Sequence, residues 1–147
     1  MAQNRVEYHI KPDQRLTFSV KAGTTLYAGD VVEVTGNMEV GPAAAASAKV
    51  LGVVFGGTVG NSAIPTFVGM PDYANVGFSG DRKEKVTVIL KSNLTYFKQP
   101  ATPLVAGDKV GAGANGTYAA AGAGDVIGMV VSATSKVAGY GILALKA

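Results

Sequence analysis

Few residues in this chain have the types and spacing that catalysis requires. The run Gly77-Phe78-Ser79-Gly80 is one residue short of the G-x-S-x-G turn that presents a nucleophilic serine. The chain has one histidine, His9, in the polar N-terminal region, so a Ser-His-acid triad would depend on that residue alone. A solvent-exposed or interface histidine is the more frequent arrangement. The sequence therefore predicts no hydrolytic site.

A glycine-rich run over residues 111–116 formally matches the G-x-G-x-x-G dinucleotide fingerprint. That fingerprint needs a helix after the glycines and an acidic residue about 20 positions further on. Here Thr117-Tyr118 follows, which favours a strand, and the next acid is already Asp125. The pair Asn115-Gly116 is instead typical of a tight hairpin turn. We therefore expect a structural turn at Asn115 and Gly116 and no nucleotide cofactor.

The residue inventory is equally poor in metal ligands. The chain has no cysteine, which excludes thiolate metal sites and disulfides. The nearest group of acids, Asp30, Glu33 and Glu39, lacks the alternation and the glycine of a calcium loop. Asp72 and Asp81 leave a weak cation site open, although exposed loop acids are the more common case. We expect no metal, no cofactor and no enzymatic activity.

Composition points to a surface that other chains cover. Charged residues make up 16% of the 147 residues, against about 25% in average soluble domains. The net charge of +3 is spread along the chain, and its one dense basic spot, residues 82–85, contains an acid. This is a poor footprint for nucleic acid. The longest uncharged stretch, residues 50–71, is broken by glycines and prolines and is no membrane span.

The segment pattern predicts an all-β protein. Twenty glycines and six prolines separate short runs rich in β-branched residues, and no run resembles an amphipathic helix of ten residues. The alanine-rich stretches Ala43–Ala46 and Ala119–Ala121 are bracketed by glycine and proline, so both are interpreted as loops or short turns. The predicted strands are Arg15–Val20, Asp30–Val34, Lys49–Phe55, Lys85–Lys91, Asp125–Ser132 and Tyr140–Lys146.

An internal repeat organises these strands. Residues 26–32 (LYAGDVV) match residues 104–110 (LVAGDKV), and after a small change of offset residues 50–54 (VLGVV) match 126–130 (VIGMV). In each copy we expect the glycine, Gly29 or Gly107, to adopt positive φ. The following Asp30 or Asp108 is expected to accept a hydrogen bond from a turn amide. Two such units predict one compact small barrel or sandwich.

The chain fits one domain with two departures from the repeat. Residues 1–14 read as a polar N-terminal arm, and residues 15–147 as a single β-domain that carries a long insertion loop at 56–84. Because the start of the chain has no apolar segment, a secretory signal is not expected and synthesis in a cytoplasm is the default. The arm has an alternative, in which it adds an edge strand to its own barrel.

The order of these motifs resembles that of phage capsid cement proteins, the small head-decoration family. The resemblance rests on Leu104–Val110, on residues 125–128 (DVIG) and on the closing residues 141–145 (GILAL), and it covers residues 22–60 and 84–147. It implies a structural protein that binds the outside of an expanded capsid as a homotrimer, with the major capsid protein and itself as partners. It implies no nucleic-acid or membrane partner, and a location on the capsid exterior after synthesis in the host cytoplasm.

Two further interpretations stay open. One is another virion component, such as a tail or fibre-base domain, and the other is a carrier barrel of the biotinyl or lipoyl type. If the chain is instead a capsid cement protein, its N-terminal arm would contact the shell, with apolar side chains on one side of an extended segment and cations available for shell carboxylates. The predicted shell contacts are Arg5, Tyr8, Ile10, Lys11 and Arg15.

Overall fold

The structure, a computed structural model, describes residues 7–9, 15–55, 78–79, 85–90 and 94–145 of the chain. These residues form strands connected by turns, with one 3₁₀ turn at Ala114–Gly116, so the predicted all-β class is confirmed. In this part of the chain no helix is long and apolar enough to cross a membrane. Of the insertion at 56–84, only the short strand at 78–79 belongs to the described residues.

The strands have the following bounds: β1 Glu7–His9, β2 Arg15–Val20, β3 Thr25–Leu26, β4 Val31–Gly36, β5 Glu39–Pro42, β6 Val50–Val54, β7 Phe78–Ser79, β8 Lys85–Ile89, β9 Leu94–Lys98, β10 Lys109–Ala112, β11 Tyr118–Ala120, β12 Gly128–Ser132 and β13 Tyr140–Leu145.

The first repeat forms a closed five-stranded barrel in the order β2-β5-β4-β6-β8. Its neighbouring strands are antiparallel except at the closure, where β2 runs parallel to β5 through the pairs Ser19↔Glu39 and Val20↔Val40. Inward-facing residues of these strands fill the interior, because side chains alternate between the two faces of a strand. The buried cluster contains Leu26 of β3 and, from the barrel strands, Phe18, Val20, Val32, Val40, Val54, Val86 and Val88.

The second repeat forms a six-stranded antiparallel sheet in the order β1-β9-β13-β12-β10-β11. Five of its strands match the barrel strand for strand, in the order β9-β13-β12-β10-β11 against β2-β8-β6-β4-β5. The registers agree as well, since Val54 pairs with Val88 in the barrel and Val130 pairs with Leu143 in the sheet. The internal repeat therefore extends beyond the matched sequence motifs to a whole five-stranded unit.

The two units differ at the closure. In the barrel, the N–H of Lys21 donates to the carbonyl of Val40 at 2.9 Å, and this bond ties β2 to β5. The registers place Pro100 at the position equivalent to Lys21 and Tyr118 at that of Val40. Proline has no N–H to donate, so this bond cannot form in the second unit. The second unit stays open between β9 and β11 over the residues that the structure describes.

A shared core holds the two units together. One buried cluster contains barrel residues, among them Val31 and Val53, and sheet residues, among them Phe97, Val110 and Leu143. Backbone hydrogen bonds cross the same boundary, from Gly116 N to Ala43 O at 2.9 Å and from Ala46 N to Ala112 O at 3.0 Å. The two repeats thus form a single packed domain over the described residues.

The six predicted strands are present, with their ends shifted by up to three residues. The interpretation of Ala119–Ala121 as a loop or short turn is wrong for Ala119 and Ala120, because Tyr118–Ala120 forms β11 in register with β10. Backbone pairing with a neighbouring strand here outweighs the weak β-propensity of alanine. The structure also contains β3, β5, β7, β9 and β10, for which the segment pattern predicted no strand.

Two equivalent glycines are crowded by a neighbouring strand. A Cβ at Gly52 would lie 2.1 Å from the carbonyl oxygen of Ile89, and one at Gly128 would lie 2.2 Å from that of Ala144. We expect Gly52→Ala and Gly128→Ala each to lower the free energy of unfolding by about 1–3 kcal/mol, because strands must separate. Urea denaturation measures the change. Gly122→Ala is the control, because a Cβ there meets nothing within 4 Å, and an equal loss in that variant would contradict the crowding argument.

Candidate functional site

The repeated Ala-Gly-Asp turn has the geometry that its sequence predicts. Gly29 has φ of 88° and Gly107 has φ of 95°, a region that glycine occupies without strain. In the first copy a carboxylate oxygen of Asp30 accepts the N–H of Tyr27 at 2.8 Å. In the second copy Asp108 accepts the N–H of Val105 at 2.9 Å. These four residues are the structural turns that the sequence singled out.

The Asn115-Gly116 pair lies in the hairpin that connects β10 to β11. Asn115 has φ of 54° and Gly116 has φ of 78°, and the N–H of Thr117 donates to the carbonyl of Ala114 at 3.3 Å. Two central residues with positive φ are typical of a type I′ hairpin turn. The glycine-rich run is thus a hairpin, and no helix follows it.

The predicted shell contacts are not brought together by the described structure. Arg5, Ile10 and Lys11 lie outside the described residues, and for Tyr8 only the backbone in β1 is described. Arg15 begins β2, and its guanidinium carbon lies 4.3 Å from the ring centroid of Phe55. Glu7–His9 pairs with β9, as an edge strand does. The docking role of this set stays a prediction.

A further surface has the properties of an interface. Along the sheet of the second unit, alternate residues of β9, β12 and β13 are buried, and the residues between them are partly or fully exposed. We name this exposed side the outer face. It consists of Leu94, Tyr96 and Lys98 of β9, Met129 and Val131 of β12, Tyr140, Ile142 and Ala144 of β13, and Lys109 of β10.

The outer face is apolar and carries no acid. Met129 is 40% exposed and Val131 is 50% exposed, and the rings of Tyr96 and Tyr140 meet edge to face with centroids 6.4 Å apart. None of the strands β9 to β13 contains an aspartate or glutamate. Tyrosine and methionine are enriched at protein interfaces, whereas solvated sheet faces are usually polar. The sequence signal was present in the alternation of LTYFK and YGILAL, but the segment pattern gave no reason to place these residues on one face.

A cleft marks the place where the second unit fails to close. We call it the seam, and it has a volume of about 260 Å³. Its walls are Lys98, Gln99, Pro100 and Ala101 after β9, and Gly116, Thr117 and Tyr118 before and in β11, with Gly29 and Asp30 of the barrel unit also lining it.

The side chain of Gln99 is hydrogen-bonded to two residues that do not line the seam. Its Nε2 donates to the carbonyl oxygens of Leu104 at 3.0 Å and Ala133 at 2.9 Å, and its Oε1 accepts the N–H of Leu104 at 2.9 Å. Gln99 stands where the barrel has Val20, which packs into the barrel interior. In the second unit, the polar side chain of Gln99, bonded to Leu104 and Ala133, thus replaces the apolar side chain of Val20 that helps to close the barrel.

Two buried ionisable groups line the seam. Burial raises the pKa of the Asp30 carboxyl to about 7, although the hydrogen bond from the Tyr27 N–H acts in the opposite direction. Burial, and secondarily the charge of Asp30, raises the pKa of Tyr118 above its usual range. The hydroxyl of Tyr118 donates to the carbonyl oxygen of Gly29 at 2.7 Å and so links the two repeats.

The described residues contain no group of three histidine, cysteine, aspartate or glutamate side chains that could hold a metal ion. A scan against models of known protein families gives no match for this sequence, and a search of curated proteins finds none that is significantly similar.

The burial of Asp30 predicts a pH-dependent stability. Because its pKa is about 7 in the folded chain and 3.8 is the ordinary value, the folded state keeps a proton that the unfolded state releases between these limits. The free energy of unfolding is therefore not reduced by this carboxyl below about pH 4, and it decreases as the pH rises from there to about pH 7. We expect the free energy of unfolding of the wild type to fall by an amount on the order of 2–4 kcal/mol over that range. This decrease should be absent from Asp30→Asn, whose side chain can still accept the Tyr27 N–H.

Thermal unfolding of both proteins from pH 4 to pH 8 measures this difference. Asp108→Asn is the matched control, because Asp108 makes the equivalent turn bond on a more exposed part of the surface. If the wild type and Asp30→Asn lose stability in parallel as the pH rises, the buried carboxyl does not titrate as described.

Proposed function

We propose that this protein is a structural component of a bacteriophage virion, a cement protein that binds the outer surface of the capsid and stabilises the expanded shell. The resemblance of its motif order to head-decoration proteins supports this function. The all-β fold of two packed repeats is compatible with it. A protein of this kind works by filling a surface between other chains, so it requires complementary faces and no active site.

The observation that carries the proposal is the outer face. It presents aromatic and aliphatic side chains from three adjacent strands, and exposed apolar faces of this kind are typical of surfaces that other proteins cover. The sheet behind the outer face is anchored by Phe97, Val130 and Leu143, which are fully or almost fully buried. A rigid sheet loses little conformational entropy on binding, which favours affinity.

The charges beside the outer face indicate what the partner surface contains. Lys98 and Lys109 are its only ionic side chains. Carboxylates on the major capsid protein would complement these lysines and orient the docked protein. In this proposal the outer face makes the main contact with the shell. The N-terminal set of Arg5, Tyr8, Ile10, Lys11 and Arg15 remains a separate prediction.

Co-sedimentation with expanded, DNA-free shells tests the function. We expect the wild-type protein to sediment with these shells. The variants Met129→Asp and Val131→Asp should weaken that binding by about tenfold or more, because each buries an unpaired charge in an apolar contact. Both positions are exposed in the free protein, so neither substitution should unfold it.

Val34→Asp is the control for this experiment, since Val34 is 41% exposed on the barrel, away from the outer face. A wild-type protein that stays in the supernatant would overturn the proposed function. If Val34→Asp and Val131→Asp weaken shell binding equally, the wild type still binds shells, but the outer face is not the surface that makes the contact.

Self-association is the second part of the proposal. The low charge content and the exposed apolar side chains on both units lead us to expect self-association, and the resemblance to head-decoration proteins implies that the oligomer is a homotrimer. Multi-angle light scattering at micromolar concentration should then give a mass of about 45 kDa, three times the 14.9 kDa of the chain. A mass of one chain at that concentration would contradict stable self-association before shell binding.

A further inference from the structure

The two repeats leave an apolar cleft between them, on the side of the domain where β6 and β12 begin. We name it the junction cleft, and it has a volume of about 270 Å³. Both repeats contribute the same positions to its walls, since the registers make Val50 equivalent to Val126 and Leu90 equivalent to Leu145. Binding sites often lie at such a boundary between packed units. The lining residues are Val50, Leu51, Gly52 and Leu90 of the barrel unit, and Asp125, Val126, Ile127 and Leu145 of the second unit.

One carboxylate, that of Asp125, lines the junction cleft. Its Oδ2 accepts the N–H of Val50 at 3.1 Å, which holds the side chain in place. No described residue donates to its Oδ1, and no described lysine or arginine forms an ion pair with it. A side chain with a cation at the end of an aliphatic stem matches this surface, because the stem covers the apolar walls while the cation meets the carboxylate. The junction cleft therefore has the chemistry of a site for a lysine or arginine side chain.

The chain presents such a side chain in the loop between β12 and β13. Lys136 is exposed there and forms no ion pair with the described residues. The hydroxyl of Ser135 accepts the N–H of Val137 at 3.2 Å and donates to the carbonyl oxygen of Tyr140 at 2.9 Å, so the loop is held in one shape. Small residues of the same loop let a neighbouring molecule approach the lysine closely, namely Ala133, Ala138 and Gly139.

Lys136 and the junction cleft lie at opposite ends of the same hairpin. Residues 125–127 precede β12, whereas Lys136 follows it. The five residues of β12 span about 17 Å, which is farther than a lysine side chain reaches. Lys136 therefore does not enter the cleft of its own chain, and the lysine that fills the cleft comes from another molecule.

We propose that the junction cleft of one copy binds the Lys136 side chain of a second copy, with the ammonium on the carboxylate of Asp125. The two halves of this contact are different surfaces and every copy carries both, so the copies associate head to tail. A head-to-tail contact that closes after three copies forms a homotrimer. The inference rests on the self-association proposed above and names the surfaces that make it. It does not use the outer face, which the proposed function assigns to the shell.

Light scattering of single variants tests the contact. In Lys136→Asp two carboxylates meet, so the dissociation constant for self-association should rise by about tenfold or more. At the concentration where the wild type gives about 45 kDa, this variant should give a mass near the 14.9 kDa of one chain. Lys21→Asp is the matched control and should keep the wild-type mass, because Lys21 is an exposed lysine of the barrel unit that does not line the cleft.

Asp125→Asn tests the other half of the contact without disturbing the fold. Its amide oxygen can still accept the N–H of Val50, so the position of the side chain is kept while the charge is lost. We expect its self-association to weaken by about tenfold or more as well. Asp108→Asn, which changes an acid outside the cleft, should behave as the wild type.

Cross-linking identifies the two surfaces directly, because the chain contains no cysteine. Val126→Cys and Ala138→Cys, combined in one chain, place one thiol at the cleft and another beside Lys136. A short bis-maleimide linker should join these thiols between copies and give covalent dimers and trimers on a denaturing gel. Either substitution alone should leave mainly single chains, since the contact joins unlike positions. Val34→Cys combined with Ala138→Cys is the control and should do the same.

Each failure has a distinct consequence. A trimer that persists in Lys136→Asp and Asp125→Asn overturns the inference, and so does an equal loss in Lys21→Asp, which would show an effect of net charge alone. Double-cysteine protein that yields no covalent oligomers, or single variants that cross-link equally well, also overturn it. A wild type with the mass of one chain overturns it too. The proposed function is decided separately, by whether the wild type sediments with shells.

Discussion

The Ala-Gly-Asp turn is the constraint from which both halves of this protein are built. In the first copy Gly29 N donates to Val54 O, and Val54 N donates to Asp30 O, both at 2.9 Å. In the second copy Gly107, Val130 and Asp108 form the same two bonds at 2.8 Å. The turn thus fixes the start of β4 beside β6 and the start of β10 beside β12. The backbone can make this turn because the glycine adopts positive φ. The five-stranded unit follows from this fixed point.

Much of this could be predicted from the sequence because it depends on local chemistry. Each turn is predictable because glycine tolerates positive φ and aspartate accepts hydrogen bonds from turn amides. Runs rich in β-branched and aromatic residues, such as Arg15–Val20, predict strands. β11 was missed because alanine has no strand preference of its own, and its structure comes from pairing with residues distant in the chain. The outer face and the seam were missed for the same reason, since each depends on which strands become neighbours.

The two copies show how a small change of residue type alters an architecture. Val20 and Lys21 close the first unit with an apolar side chain and a backbone N–H. Gln99 and Pro100 occupy the same positions in the second unit. The side chain of Gln99 donates to the carbonyl oxygens of Leu104 and Ala133, and Pro100 has no backbone N–H to donate. One repeated unit therefore appears once as a closed barrel and once as an open sheet. The open copy is the one that presents the seam and the outer face.

The core shared by the two repeats has a mechanical consequence. Val53 of the barrel and Phe97 of the sheet belong to one buried cluster, so neither repeat can open without exposing the apolar surface of the other. Unfolding of the described domain is then a cooperative event, although the chain is built from two similar pieces. A load applied to one repeat is carried by both, without a hinge between them. The two repeats therefore form one stiff domain and not two independently folded units joined by a linker.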